Sequence, residues 1–236
     1  MTLSIDDFIP FSVTSEVRYK NAYLIFDRTG QILDDLKQHF TGLEISSAAP
    51  QQTGFTAEEG TFNLEVGVCR FTSSNVDGSG ELFAKQCKLF FATVFQHLDI
   101  TVFTRIGLRY IARKEFKTDD EAKAALASLM LANLRPAKRF NSSDSPIEIF
   151  FRWEDKEIGT LFRLRAETTN VKVIVPPELR AAVPTVDKKI VGITLDIDYY
   201  TVAPVEKEQW EPEEWVRQKL RIVKKEAEGI FQSGGK

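Results

Sequence analysis

VFTRIGLRYIAR, residues 102–113, is the stretch whose reading decides the fold. Successive side chains of a strand point to opposite faces. As a strand, this segment puts Val102, Thr104, Ile106, Leu108, Tyr110 and Ala112 on one side and Phe103, Arg105, Gly107, Arg109, Ile111 and Arg113 on the other. The first is a core face. The second carries three arginines, with the side-chain-free Gly107 between the first two, and calls for anions from the protein's own carboxylates or from a ligand.

Immediately upstream, Leu82, Phe83, Cys87, Phe90, Phe91, Val94, Phe95 and Leu98 recur at helical spacing and form a wide apolar stripe suited to burial on a sheet. Thr61 to Thr72 returns to period two and reads as one strand, with Phe62, Leu64, Val66 and Val68 on one side. The preceding SSAAPQQTGFTAEEG, residues 46–60, reads as a loop after a short strand at Leu43 to Ser46. Val17 to Phe26 alternates as a strand, after an arm over residues 1–12. A helix opening at Thr29 then carries Ile32, Leu33, Leu36 and Phe40 to a stop at Thr41-Gly42.

Downstream, Thr118 and Glu121 have capping-box spacing and open a helix to about Asn133, which Arg135-Pro136 stops. A hairpin follows, Ile147 to Glu154 and Glu157 to Thr168, with Ile147, Ile149, Phe151, Trp153, Phe162, Leu164 and Ala166 inward. Val171 to Val175 is a further short apolar run. Lys189 to Val202 is the last long strand; it sets Ile193, Leu195, Ile197 and Tyr199 against Thr194, Asp196, Asp198 and Tyr200. Pro212 suits the first turn of a final helix whose apolar face runs from Trp215 to Phe231. The expected fold is α+β, a mostly antiparallel sheet of about seven or eight strands with about four amphipathic helices packed on one face. A single domain over 1–236 is expected, with 13–115 and 116–236 as its sub-halves.

Of the 236 residues, 43% are hydrophobic and 28% charged, an ordinary globular balance, and the net charge of −3 argues against a whole-surface nucleic-acid binder. No signal-peptide pattern or apolar run of membrane-spanning length is present, so the expected setting is cytoplasmic, without a membrane. Cys69 and Cys87 fall within predicted elements and lack metal-ligand spacing, which suits reduced, buried thiols. His39 and His97 each end a predicted helix, and no nucleophile motif accompanies them. No catalytic residue, cofactor or metal site is therefore assigned.

Arg105 and Arg109 on one strand, with Asp196 and Asp198 on another, admit three readings. If the strands are neighbours, the guanidinium forks hold the carboxylates in an internal network, and loss of a buried member costs roughly 3–5 kcal/mol. Alternatively the four residues line an anion site above Gly107, although no glycine-rich phosphate loop accompanies them. Paired aspartates on a strand can also ligate a divalent cation, but no third ligand stands at a recognisable spacing. A separate basic patch, with Arg109, Arg113, Lys114 and Lys117 on one side and Arg135, Lys138, Arg139 and Phe140 on the other, suits nucleic-acid phosphates with Phe140 stacked on a base. Scattered solvated charges are the commoner explanation of such a pattern.

FTRIGLRYI at 103–111, followed by LDIDYY at 195–200 and a C-terminal amphipathic helix, resembles an uncharacterised prokaryotic family of sporadic distribution. Its members carry F-x-R-[IV]-G-L-R-Y-[IV]-N and a later I-D-[IV]-D-x-[FY]. The chain departs from that pattern at Ala112, where the family has Asn. The resemblance implies a fold type and a prokaryotic cytosolic setting, and it implies no activity. The expected function is a binding or interaction protein whose partner is a protein, a second copy of itself or a small anionic ligand. An enzyme acting on an anionic or nucleotide-like substrate is the first alternative, and nucleic-acid binding through the basic patch the second.

Overall fold

The structure is a computed structural model that describes residues 3–49, 51–76, 79–130, 148–172 and 187–233. A 3-10 turn at Ile5–Asp7 leads into β1 (Ile9–Tyr19), α1 (Ile25–Leu36), β2 (Glu44–Ala49), β3 (Gln52–Ala57), β4 (Gly60–Glu65) and β5 (Val68–Ser73). Then come α2 (Glu81–His97), β6 (Val102–Phe116), α3 (Asp119–Met130), β7 (Glu148–Glu154), β8 (Ile158–Lys172), β9 (Asp187–Thr201), the two-residue β10 (Val205–Glu206) and α4 (Pro212–Ser233). The strands form one antiparallel sheet in the order β2-β3-β4-β5-β1-β6-β9-β8-β7, with β10 attached to β6. The fold is α+β, and the sheet runs without a break through both sub-halves expected from the sequence.

One face of the sheet carries Val13, Val17, Phe62, Phe71, Ile106, Leu108, Leu195, Ile197, Phe162 and Leu164, which join the buried faces of all four helices in one apolar cluster. Aromatic rings fill its centre: Phe62 stacks on Phe71 at 4.6 Å, Phe71 on Phe83 at 5.3 Å, and Trp210 meets Phe91 and Phe103 edge-on at 5.2 Å. Offset and edge-on contacts of this kind suit the ring quadrupoles. The opposite face has no helix over it among the described residues and carries the charged side chains. The core therefore backs that face without covering it.

The structure corrects several boundaries, each for a local reason. β1 begins at Ile9 and ends at Tyr19, whereas the sequence suggested Val17 to Phe26. Its inward row includes the fully buried Ser15, and its outward row begins with the exposed Ile9 and Phe11, which inverts the expected polarity. After Tyr19 the backbone turns, and helical hydrogen bonds start at Ile25 rather than Thr29. Residues 46–60 hold most of a hairpin, β2 and β3, instead of a loop. Every residue of β2 is exposed, so no apolar alternation marks it. Thr61 to Thr72 is two strands joined by a tight turn at Val66-Gly67, which switches the phase: Cys69 and Phe71 join Phe62 and Leu64 on the core face, while Val68 stands opposite Glu65 and Arg18 instead of sharing that face. β8 extends through Lys172, so Val171 belongs to it rather than starting a separate run.

Phe103 lies in the core at 0% exposure rather than on the arginine face. Arg18 pairs with Arg105 and the next residue, Tyr19, with Phe103, so Thr104 is an extra residue on β6. Such a bulge shifts the alternation by one. Phe151 and Trp153 sit on the inward row of β7, yet both are 43% exposed because this strand is an edge. Thr118 supplies half of the capping box by accepting the Glu121 N–H at 3.2 Å, while the Glu121 carboxylate accepts the N–H of Lys117. Ile147, residues 173–175 and the helix end near Asn133 lie outside the described residues.

Candidate functional site

The open face is built by strand alternation and by the registers that join β1, β6, β9 and β8. Gly107 stands opposite Glu16 on one side and Tyr200 on the other, and Arg109 stands opposite Thr14 and Asp198. The arginines reach diagonally along this ladder. Arg105 donates from Nη2 to Asp198 at 2.7 Å, and Arg109 grips Asp196 with Nε and Nη2, both at 2.8 Å. The neighbouring strands thus join all four residues as two ion pairs.

Around Arg105 the charges are matched. Glu16, 16% exposed, accepts from Arg18 and from Arg70 at 2.6 Å each, and lies 4.0 Å from Arg105. Arg70 turns its other arm to Glu65. The Arg105 guanidinium lies over the Tyr200 ring, 4.3 Å from its centre, and the Tyr200 hydroxyl donates to Glu154 at 2.7 Å. Gly159 lies under that ring: a Cβ there would stand 2.4 Å from ring carbons. Burial raises the Glu16 carboxyl pKa, but hydrogen bonds from Arg70 and Arg18 outweigh it and hold Glu16 below the usual range. At Asp198 burial wins over the attraction of Arg105, with the Glu16 charge adding to it, and the carboxyl is pushed up.

Farther along the same strands the balance changes. A groove of about 380 Å3 is lined by Arg109, Arg113, Arg163, Arg165, Asp196 and Glu167, with Phe11, Ile111, Thr169 and Thr194 completing it. Arg163 is held by Glu148 at 2.8 Å, Arg165 stands 3.9 Å from Glu167, and Glu167 also accepts from the Thr194 hydroxyl. Arg113 has only neutral partners among the described residues: the Ile190 carbonyl at 2.9 Å and the Thr169 hydroxyl at 3.3 Å. Its Nε is buried without a hydrogen-bond partner. Gly192 lets the side chain lie down, since a Cβ there would stand 2.7 Å from that nitrogen. Even with Glu148 counted, four guanidiniums face three carboxylates, and Phe11 offers a ring that is 64% exposed at the margin.

The residues singled out from sequence are thus distributed over different parts of the molecule. Arg105, Arg109, Asp196 and Asp198 meet as two pairs, and Arg113 lies beside them instead of forming a patch with Lys114. Alternation sends Lys114 to the helix side, where it pairs with Asp7 at 2.8 Å. Arg135, Lys138, Arg139 and Phe140 lie outside the described residues. Because Arg109 is 52% exposed, its pair with Asp196 is not the buried pair considered from sequence, and solvent screens it. Glu16, Arg70, Arg163 and Arg165 escaped the sequence reading. For Arg163 and Arg165 a signal was available: they alternate with the core residues Phe162 and Leu164, as Arg105 and Arg109 do with Ile106 and Leu108.

His97 Nε2 is 2.7 Å from an Asp35 carboxylate oxygen, a contact that ties the ends of α2 and α1. Cys69 and Cys87 are free and buried. Among the described residues, no three His, Cys, Asp or Glu side chains are grouped to hold a metal ion, and no helix is long and apolar enough to cross a membrane. Fold and site together define an α+β protein with an open, charge-lined sheet face. No family model matches the chain, and no curated protein matches it.

Proposed function

We propose that this chain is a binding protein of the prokaryotic cytoplasm that takes a small anionic ligand on its open sheet face, in the groove around Arg113. The observation that carries the reading is the Arg113 guanidinium, which lies in a groove with surplus positive charge and has no carboxylate partner among the described residues. A guanidinium desolvated on one side and free of a counter-ion is a ready donor to phosphate or carboxylate oxygens, and its planar fork matches their geometry. The two free, buried cysteines support a reducing compartment. The Phe11 ring beside the groove suits a ligand with a planar part as well as an anionic one.

Calorimetric titration with inorganic phosphate, citrate and a mononucleotide tests this directly. The native protein is expected to bind at least one of them, and Arg113→Gln is expected to weaken that binding about tenfold or more, the equivalent of one lost charge-assisted hydrogen bond. Arg18→Gln, a charge change of equal size on the same face, should leave the affinity unchanged. Equal losses from both variants, or no binding at millimolar concentration, would overturn the assignment.

A further inference from the structure

The two edges of the sheet are finished in different ways. β2, at one edge, has short polar or small side chains over most of its length, and its pairing with β3 is interrupted by an irregularity between Ile45 and Ser47. Polar content and bulges are devices that keep edge strands from pairing with other chains. β7, at the other edge, reads EIFFRWE and pairs with β8 through all seven residues without a register shift. Its outer side has no strand among the described residues. Phe150 is exposed on the open face, and Phe151 and Trp153 on the helix side. A regular, aromatic edge with no strand beside it among the described residues is a template for an added strand.

The sequence of β7 also says which strand fits. When two copies of it are laid antiparallel with Phe150 opposite Phe150, Glu148 of each copy faces Arg152 of the other, and Ile149 faces Phe151. Shifting the centre to Phe151 opposes Glu148 with Glu154, and shifting it to Arg152 opposes two arginines. Of these three registers only the first sets unlike charges opposite each other, Glu148 against Arg152, and it leaves Glu154 beyond the overlap of the two β7 strands. Opposite charges directly across a ladder stabilise it, whereas like charges there destabilise it. Glu148 and Arg152 are exposed enough to add a partner to the contacts they already have, with Arg163 at 2.8 Å and Glu154 at 3.1 Å.

We propose that the chain pairs with a second copy of itself through β7, antiparallel and centred on Phe150, so that two sheets become one. The two-fold axis then runs perpendicular to the sheet, and both charged faces lie on the same side. The strand pairing is made by β7 and does not require an occupied anion groove, although Glu148 also holds Arg163 at the margin of that groove.

Sedimentation or light scattering across a concentration series reads the assembly, and charge reversal reads the register. Native protein is expected to dimerise, Arg152→Glu to weaken the dimer by about tenfold or more, and the exchange pair Glu148→Arg with Arg152→Glu to restore it. Arg152 is 57% exposed, so its replacement leaves folding intact, which circular dichroism checks. Phe150→Cys gives a second, geometric reading. Two residues directly opposed on antiparallel strands lie within disulfide reach, so this variant should crosslink readily under mild oxidation while Arg152→Cys does not. The native thiols are buried and do not interfere. A protein monomeric at every concentration, or a dimer insensitive to Arg152→Glu with no Phe150→Cys crosslink, would overturn the proposal.

Discussion

Two ends of one sheet face carry the same residue types and arrive at opposite balances. Around Glu16, Arg18, Arg70 and Arg105 converge on Glu16, Glu65 and Asp198, and each guanidinium has a carboxylate. Around Arg113, the guanidinium rests on a carbonyl and a hydroxyl. Both ends are set by the same alternation and the same antiparallel registers, so the difference lies in which residue type falls at which rung. The comparison shows that an arginine row on a strand has no fixed meaning. It is a brace where neighbouring strands supply acids and a candidate receptor where they do not.

The contrast is broken most severely by removing the acid at the centre of the matched end. In Glu16→Gln, Arg18 and Arg70 lose the charge that holds them, and Arg105 loses a nearby one. The expected loss is about 2–3 kcal/mol, below the full value for a buried ion pair because the arginines keep partial contact with water. Urea denaturation measures it. The same variant should alter the acid limb of stability. Glu16 titrates below its unfolded value, so its contribution is present above the usual glutamate range and is lost as pH falls through the folded value. Glu16→Gln should therefore lose less further stability on acidification than the native protein.

Asp198 has the opposite sign, and its removal should do less. Its folded carboxyl is pushed up, so holding it charged costs stability at neutral pH; the cost shrinks as pH falls through the folded value and is gone below the unfolded one. Asp198→Asn removes that cost while it takes a charge-assisted bond from Arg105. At neutral pH the net loss is expected to be about 1 kcal/mol or less. On acidification the variant should fall away more steeply than the native protein, since protonation no longer brings relief. Parallel acid limbs in native and Asp198→Asn proteins would place the carboxyl in an ordinary environment and end this distinction between the two acids.

Much of this arrangement was readable in the residues themselves. The core row of β6 from Ile106 to Ala112, the stripe of α2 apart from the exposed Leu82, and the inward row of β9 follow their periods closely, because burial on one side is what fixes those periods. Their partners in the ion network could be anticipated from Asp196 and Asp198 alone. What was hidden followed from departures from one-sided burial. Ser15 is a polar residue in the core, Phe11 an apolar one outside it, and β2 has no buried side chain to mark its phase. Thr104 moves Phe103 across the sheet with one inserted residue. Glu16 and Arg70 were invisible as a pair because β1 and β5 meet only through the strand order, with long stretches of chain between them.

Gly107 provides the finest test, because a sequence reading and the geometry assign it different work. Between Arg105 and Arg109 it invites the view that a missing side chain leaves room for a ligand. A Cβ at this position would have Asp198 Oδ1 and the Tyr199 carbonyl oxygen at 3.9 Å and the Glu16 Cβ at 4.0 Å, all ordinary contacts. Its backbone is an unstrained strand without a positive φ. Alanine also restricts the unfolded chain more than glycine does, which offsets any small crowding of the ion pairs. Gly107→Ala should therefore change stability by no more than about 0.5 kcal/mol in either direction. It should also leave anion titration unaltered, since the groove around Arg113 does not include it. Loss of anion binding in a stably folded Gly107→Ala protein would move the receptor to the Arg105 end and reverse the comparison between the two halves of the face.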